Sequence, residues 1–103
     1  MSALKAWAIG LFGGLLVCAP ALAGDVEAGR RLAEQWCAAC HITSPQQVSA
    51  SDAAPSFMEI AKDPAKTRAG LEVWLSDPHP PMPKLSLSNR EIDDLITYIK
   101  SLD

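Results

Sequence analysis

Four stretches of the chain carry apolar residues at helical spacing. From Asp25 to Cys37, the residues Val26, Gly29, Leu32, Ala33 and Trp36 fall on one side, while Arg30, Arg31, Glu34 and Gln35 fall on the other. That alternation predicts an amphipathic helix with a solvated charged face. Asp25 suits its N-cap, and Glu27 suits the positive end of its dipole. Phe57, Ile60 and Ala61 predict a short second helix over Phe57 to Lys62, with Ser56 and Glu59 at the spacing of a capping box. Leu71, Trp74 and Leu75 predict a third, ending near Ser76, for which Asp63-Pro64 and Thr67 are competing start signals. Gly70 weakens that helix by about 1 kcal/mol relative to alanine. The clearest pattern is the last. Ser88 and Glu91 form another capping box, and Ile92, Leu95, Ile96, Ile99 and Leu102 form one stripe through Leu102. No segment alternates convincingly as a strand. The prediction is an all-α fold in which the last helix packs on the first, with Gly29 allowing close contact.

Two of the separating segments have distinct chemistry. Ile42 to Ala54 is polar and rich in small residues, with no surviving period, and reads as a loop. Asp77-Pro78-His79-Pro80-Pro81-Met82-Pro83-Lys84-Leu85 carries four prolines. Each fixes φ and removes a donor, so this loop is extended and stiff.

The first residues belong to a different pattern. Lys5 precedes an apolar run from Ala6 to Val17, and Ala21-Leu22-Ala23 ends it with small residues. This is the layout of a secretory signal peptide over 1–23, leaving one small domain over 24–103. A retained anchor is the competing reading. The run is short for a span that needs about 20 residues, and Gly10, Gly13, Gly14 and Pro20 interrupt it. Cys18 reads as a passenger in the leader, since Val17 is large for lipoprotein processing.

Removal of the leader takes Lys5 with it and makes the formal net charge of −3 one unit more negative. An acidic domain is a poor partner for nucleic acid or an anionic membrane surface. It also leaves two cysteines, both in Cys37-Ala38-Ala39-Cys40-His41. Two thiols three positions apart with histidine next is the spacing for covalent attachment of a c-type haem. About one turn of backbone brings both sulfurs to the two vinyl groups and the imidazole under the iron. Cys37 and Cys40 are then thioether anchors and His41 an axial ligand. A thioredoxin-like dithiol expects a βαβ context. A zinc site has Cys37, Cys40, His41 and His79 to draw on, but adjacent Cys40 and His41 compete sterically. A disulfide would close a small, strained loop. For so small a domain, a covalently held apolar porphyrin also serves as a staple.

An iron held by one histidine needs a sixth ligand or stays open. Met82 is the candidate, because its thioether is soft and raises the reduction potential. Pro80, Pro81 and Pro83 order its loop before the bond forms, which lowers the entropy lost on closing it. Met58 and His79 are the rivals. Met58 sits beside Phe57, where core packing suits it; His79 lies between Pro78 and Pro80 and can instead hydrogen-bond a propionate or the loop.

With Gly24-Asp25-Val26-Glu27-Ala28-Gly29, the Cys37 to His41 motif, Met82, and Leu95-Ile96-Thr97-Tyr98-Ile99 in place, the chain resembles a class I cytochrome c, and the compact bacterial members in particular. The resemblance implies a small cytochrome c fold of three to four helices around one covalent haem, with Gly29 and Tyr98 meeting where the terminal helices cross. It also implies that the Pro55 carbonyl fixes the His41 ring. One departure is Ala33, where the family commonly has an aromatic residue; Trp36 is expected to fill that volume. Trp74 is assigned to core packing over the alternative of facing the haem or a propionate.

The expected function is single-electron transfer in the periplasm by a monomer that makes and breaks no substrate bond. Its partners would be dehydrogenases or quinol-oxidising complexes upstream and oxidases or reductases downstream, met in small transient contacts. A dedicated haem subunit of a dehydrogenase is one alternative. A sensor or peroxidase-like protein with a labile sixth site is the other.

Overall fold

The computed structural model describes residues 24–51 and 53–103. The expected leader over 1–23, Cys18 within it, and Asp52 lie outside the described residues. Among those described there are four helices and no strand: α1 (Val26–Trp36), α2 (Phe57–Lys62), α3 (Arg68–Ser76) and α4 (Asn89–Lys100). None is long and apolar enough to cross a membrane.

Each helix starts where its capping chemistry dictates. The Asp25 carboxylate accepts from the Glu27 and Ala28 amides, and Thr67 accepts from Gly70. Ser56 and Ser88 close reciprocal capping boxes with Glu59 and Glu91. These caps satisfy amides that have no partner inside the helix, and each is worth about 1 kcal/mol. Thr67 thus wins over Asp63-Pro64 as the start of α3. Asp63 instead accepts from the Ala65 amide in the preceding turn.

The core is built on α4. Leu95, Ile96 and Ile99 are buried on it, and α1, α2 and α3 all pack against it. The densest joint is with α1. At Gly29 a Cβ would fall on the Asp94 carbonyl oxygen and lie 2.7 Å from Tyr98 Cβ, so only glycine permits the approach. The Asp94 carboxylate, itself buried, accepts from the Asp25 amide at 2.8 Å and ties the start of α1 to α4. Beyond the crossing, Arg68 bridges α3 to α4 through Asp93 and Thr97. The Lys100 ammonium donates to the Lys66 carbonyl.

Two side chains depart from expectation. Trp36 is 52 % exposed and fills no core volume. Gly29, Ala33 and Cys37 recur every fourth residue along the buried seam, and Trp36 is rotated off it. Trp74 is also on the surface side of its helix, at 39 % exposure, while Leu71 and Leu75 carry the packing of α3. Gly70 is exposed and approaches nothing except the Thr67 capping hydroxyl.

Candidate functional site

Where α1 ends, the chain makes one further turn. The Cys37 amide still bonds the Ala33 carbonyl, and the Cys40 and His41 amides then bond the Cys37 carbonyl at 3.1 and 2.9 Å. Cys37, Cys40 and His41 therefore sit on a single turn continuing the helix. Both thiols are free; Cys37 is buried and Cys40 half-buried.

The loop that follows folds back onto this turn. Gln47 is its hub. Its amide nitrogen donates to the Ala38 and His41 carbonyls at 2.9 Å, and its oxygen accepts from the Thr43 amide and hydroxyl. Ser51 adds two bonds to the Ala39 carbonyl, from its amide and its hydroxyl. Thr43 is buried, and its carbonyl accepts from the Tyr98 hydroxyl at 2.6 Å, linking the loop to α4. Sequence reasoning saw only a polar loop and missed Gln47. Its one local signal is an amide side chain within reach of the motif's carbonyls, and many polar loops carry that.

The loop ends at Pro55, whose carbonyl oxygen lies 2.6 Å from His41 Nδ1. A carbonyl only accepts, so Nδ1 carries the proton and the Nε2 lone pair of the neutral ring is left free. Phe57 stands beside the ring, with centroids 5.3 Å apart and planes tilted by 54°.

Met82 lies on the second loop. Its amide bonds the His79 carbonyl at 3.1 Å, and its sulfur accepts from Trp74 Nε1 at 3.1 Å. The His79 ring meets the same indole in a T-shaped contact, 4.8 Å between centroids. Met58, by contrast, is packed at the edge of the core cluster on α2.

This donor set matches a c-type haem better than the competing chemistries. It offers two free thiols and one imidazole nitrogen on one turn, and elsewhere a thioether on a stiff loop. Burial, reinforced by neighbouring Cys40, pushes the Cys37 thiol up to about 11. A dithiol exchange centre needs the opposite shift, because the thiolate is its nucleophile. Among the described residues no three or more His, Cys, Asp or Glu side chains gather as a metal cluster would require. An open groove of about 510 Å³ is lined by Glu72, Val73, Ser76, Asp77, Asn89 and Ile92. None of the motif residues lines it, and it is a surface feature of α3 and the start of α4.

Comparison with known proteins points the same way. The family model described as cytochrome c matches residues 26–103. The chain is 44 % identical over 82 residues to a cytochrome c-552 of Bradyrhizobium diazoefficiens, which covers 80 % of this chain and 79 % of the relative. No solved structure matches the chain.

Proposed function

The chain belongs to the cytochrome c family, whose haem c is covalently attached, and on that premise we propose that it is a periplasmic single-electron carrier with histidine and methionine axial ligands. The bound haem supplies one redox couple, ferric to ferrous, with no substrate bond made or broken. Cys37 and Cys40 would hold the porphyrin through thioethers, and His41 would ligate the iron through Nε2. Pro55 fixes that ring in the tautomer which leaves Nε2 available, and so raises its basicity as a ligand. Met82 would supply a thioether ligand, which raises the reduction potential.

The observation that carries this reading is the His41–Pro55 contact. It selects the one tautomer that can bind iron through Nε2, on the same turn as two free thiols. Residues 1–23 act as the export leader, and 24–103 form the carrier domain. The partners are redox proteins that donate and accept single electrons. The family's character as redox proteins supports that statement, and the acidic net charge favours docking partners with a basic surface.

Spectroscopy of the protein made with haem-attachment machinery tests the proposal. The reduced protein should show the bands of a covalent low-spin haem, and the ferric protein the weak long-wavelength band of thioether ligation. Met82→Ala should abolish that band while Met58→Ala keeps it. Failure of Cys37→Ala, Cys40→Ala double variants to lose covalent haem would overturn the anchor assignment. Tight carbon monoxide binding by the reduced wild type at neutral pH would overturn Met82.

A further inference from the structure

The turn that carries Cys37, Cys40 and His41 is the end of a helix, and its last carbonyls have no following helical turn to supply amides. They need donors from elsewhere. The loop provides them: Gln47 Nε2 donates to the Ala38 and His41 carbonyls, each at 2.9 Å, and reaches the Ser49 carbonyl at 3.0 Å. Ser51 covers the Ala39 carbonyl, with its amide at 2.8 Å and its hydroxyl at 2.7 Å. The other end of the Gln47 carboxamide accepts from the Thr43 amide and hydroxyl, at 2.9 and 3.1 Å. One side chain thus grips the backbone on both sides of the His41 ring. Gln47 is half-buried while its neighbours Gln46 and Val48 are exposed, so it alone of the three is turned into the loop. The grip is anchored at both ends. Buried Thr43 takes the Tyr98 hydroxyl of α4 on its carbonyl, and the Phe57 amide bonds the Ile42 carbonyl at 2.9 Å, closing the neck of the loop beside Pro55.

We propose that Gln47 is a positioning residue for His41: it caps the turn that carries the two thiols and the imidazole, and so fixes the direction in which the ring presents Nε2. This rests on the assignment of His41 as an iron ligand. A ring on a flexible Cα–Cβ bond needs two fixed points to hold one direction. The Pro55 carbonyl holds the far point, Nδ1, at 2.6 Å. Gln47 holds the near one, the backbone from which the ring extends, through the His41 carbonyl and the Thr43 amide. The two points are not interchangeable. Without the carboxamide, the Ala38 and His41 carbonyls lose their donor, the turn loosens, and the ring can keep Nδ1 on Pro55 only by swinging or by stretching that bond. A longer Nδ1–H bond passes less electron density to Nε2. Ferric iron depends more on that density than ferrous iron does, so the clasp favours the ferric state.

Proton magnetic resonance of the haem-loaded ferric protein tests this, because the spread of the paramagnetically shifted methyl resonances depends on the direction of the axial imidazole plane. Gln47→Met keeps the length and neutrality of the side chain and removes its donors. It should change that spread and raise the ferrous-to-ferric ratio at a fixed applied potential by about two- to fivefold, the scale of one modest hydrogen bond. The long-wavelength ferric band should persist, since Met82 lies on the other loop. Ser51→Ala leaves the Ser51 amide on the Ala39 carbonyl and should keep the wild-type spread and ratio. If Gln47→Met does not load haem, Gln47→Asn takes its place: it keeps the amide, is one methylene too short to span both sides, and should move the same resonances. In the wild type, the Gln47 side-chain amide protons should exchange with solvent about fivefold or more slowly than those of exposed Gln46. Equal exchange at the two residues, or a wild-type spread in the Gln47 variants, would overturn the role of Gln47 while leaving His41 as a ligand. A Ser51→Ala protein shifted as far as Gln47→Met would overturn it too, by assigning the effect to the loop as a whole. If the wild type shows no shifted imidazole resonances from His41, the ligand assignment falls and this inference falls with it.

Discussion

The crossing of α1 and α4 and the loop from Asp77 to Leu87 are held by opposite means. At the crossing, backbone meets backbone: the Asp94 carbonyl presses on Gly29, and the Asp94 carboxylate takes the Asp25 amide. Leu95 and Ile96 are 1 % and 0 % exposed beside that joint. In the loop, the internal bonds are the short turn from Met82 to His79 and the Leu87 amide on Leu85. Its remaining order comes from prolines, from the His79 ring against the Trp74 indole and from one N–H to sulfur contact with Trp74. The difference teaches where tolerance lies. Main-chain atoms cannot swing aside, so the crossing dictates residue identity. The loop dictates stiffness, which several residues could provide.

The largest effect should come from emptying the crossing. Leu95→Ala removes a side chain from the centre of the core and should cost about 2–5 kcal/mol, read as a lower midpoint in denaturant unfolding of the haem-loaded protein. Gly29→Ala adds a single methyl, yet it must push apart main chains and should cost about 1–3 kcal/mol. A Gly29→Ala protein as stable as wild type would break the comparison, because it would show that the two helices slide freely.

Loop variants should behave in the other way, with little lost in stability and more in ligation. Pro83→Ala frees one φ angle next to Met82 and should cost only about 0.4–1 kcal/mol in global unfolding. If Met82 is the ligand as proposed, the ferric long-wavelength band should nevertheless weaken at temperatures well below unfolding, since the looser loop would release the thioether first. A Pro83→Ala variant that loses as much stability as Leu95→Ala would place the loop with the core and erase the distinction.

The same contrast explains what could be read in the chain. All four helices, the two capping boxes and the α4 stripe were legible, because each is fixed by residues within a few positions of one another. The approach of Gly29 to Tyr98 was legible through resemblance. The choice between Thr67 and Asp63-Pro64 was not, since both satisfy the same local rule. Trp36 and Trp74 were misplaced for one reason: a large apolar residue at helical spacing counts toward the core, while burial depends on how each helix is rotated against α4. Asp94 and Gln47 were not foreseen. Their bonds reach across 69 residues, and into carbonyls whose positions the fold alone decides.

The smallest predicted effect is a pH dependence that belongs to the crossing and not to the loop. Tyr98 is buried there, donating its hydroxyl to the Thr43 carbonyl at 2.6 Å. Burial raises its pKa above the ordinary value of 10.0, and the nearby Glu34 carboxylate raises it further while Arg30 opposes. A phenolate at that site would lose the bond and face a carbonyl lone pair. The folded protein therefore holds the Tyr98 proton more tightly than the unfolded chain does. Its contribution to stability is complete below the unfolded value of about 10 and is lost as pH rises through the higher folded value. Unfolding free energy measured from neutral to alkaline pH should thus fall more steeply in wild type than in Tyr98→Phe. Tyr98→Phe should be less stable at neutral pH, through loss of the hydrogen bond. Its gap to wild type should then narrow as the pH climbs, because wild type alone has a proton to lose there. A gap that stays constant across the alkaline range would mean that Tyr98 titrates alike in the folded and unfolded chains. The link between the crossing and the haem-motif loop through Thr43 would then be weaker than its geometry implies.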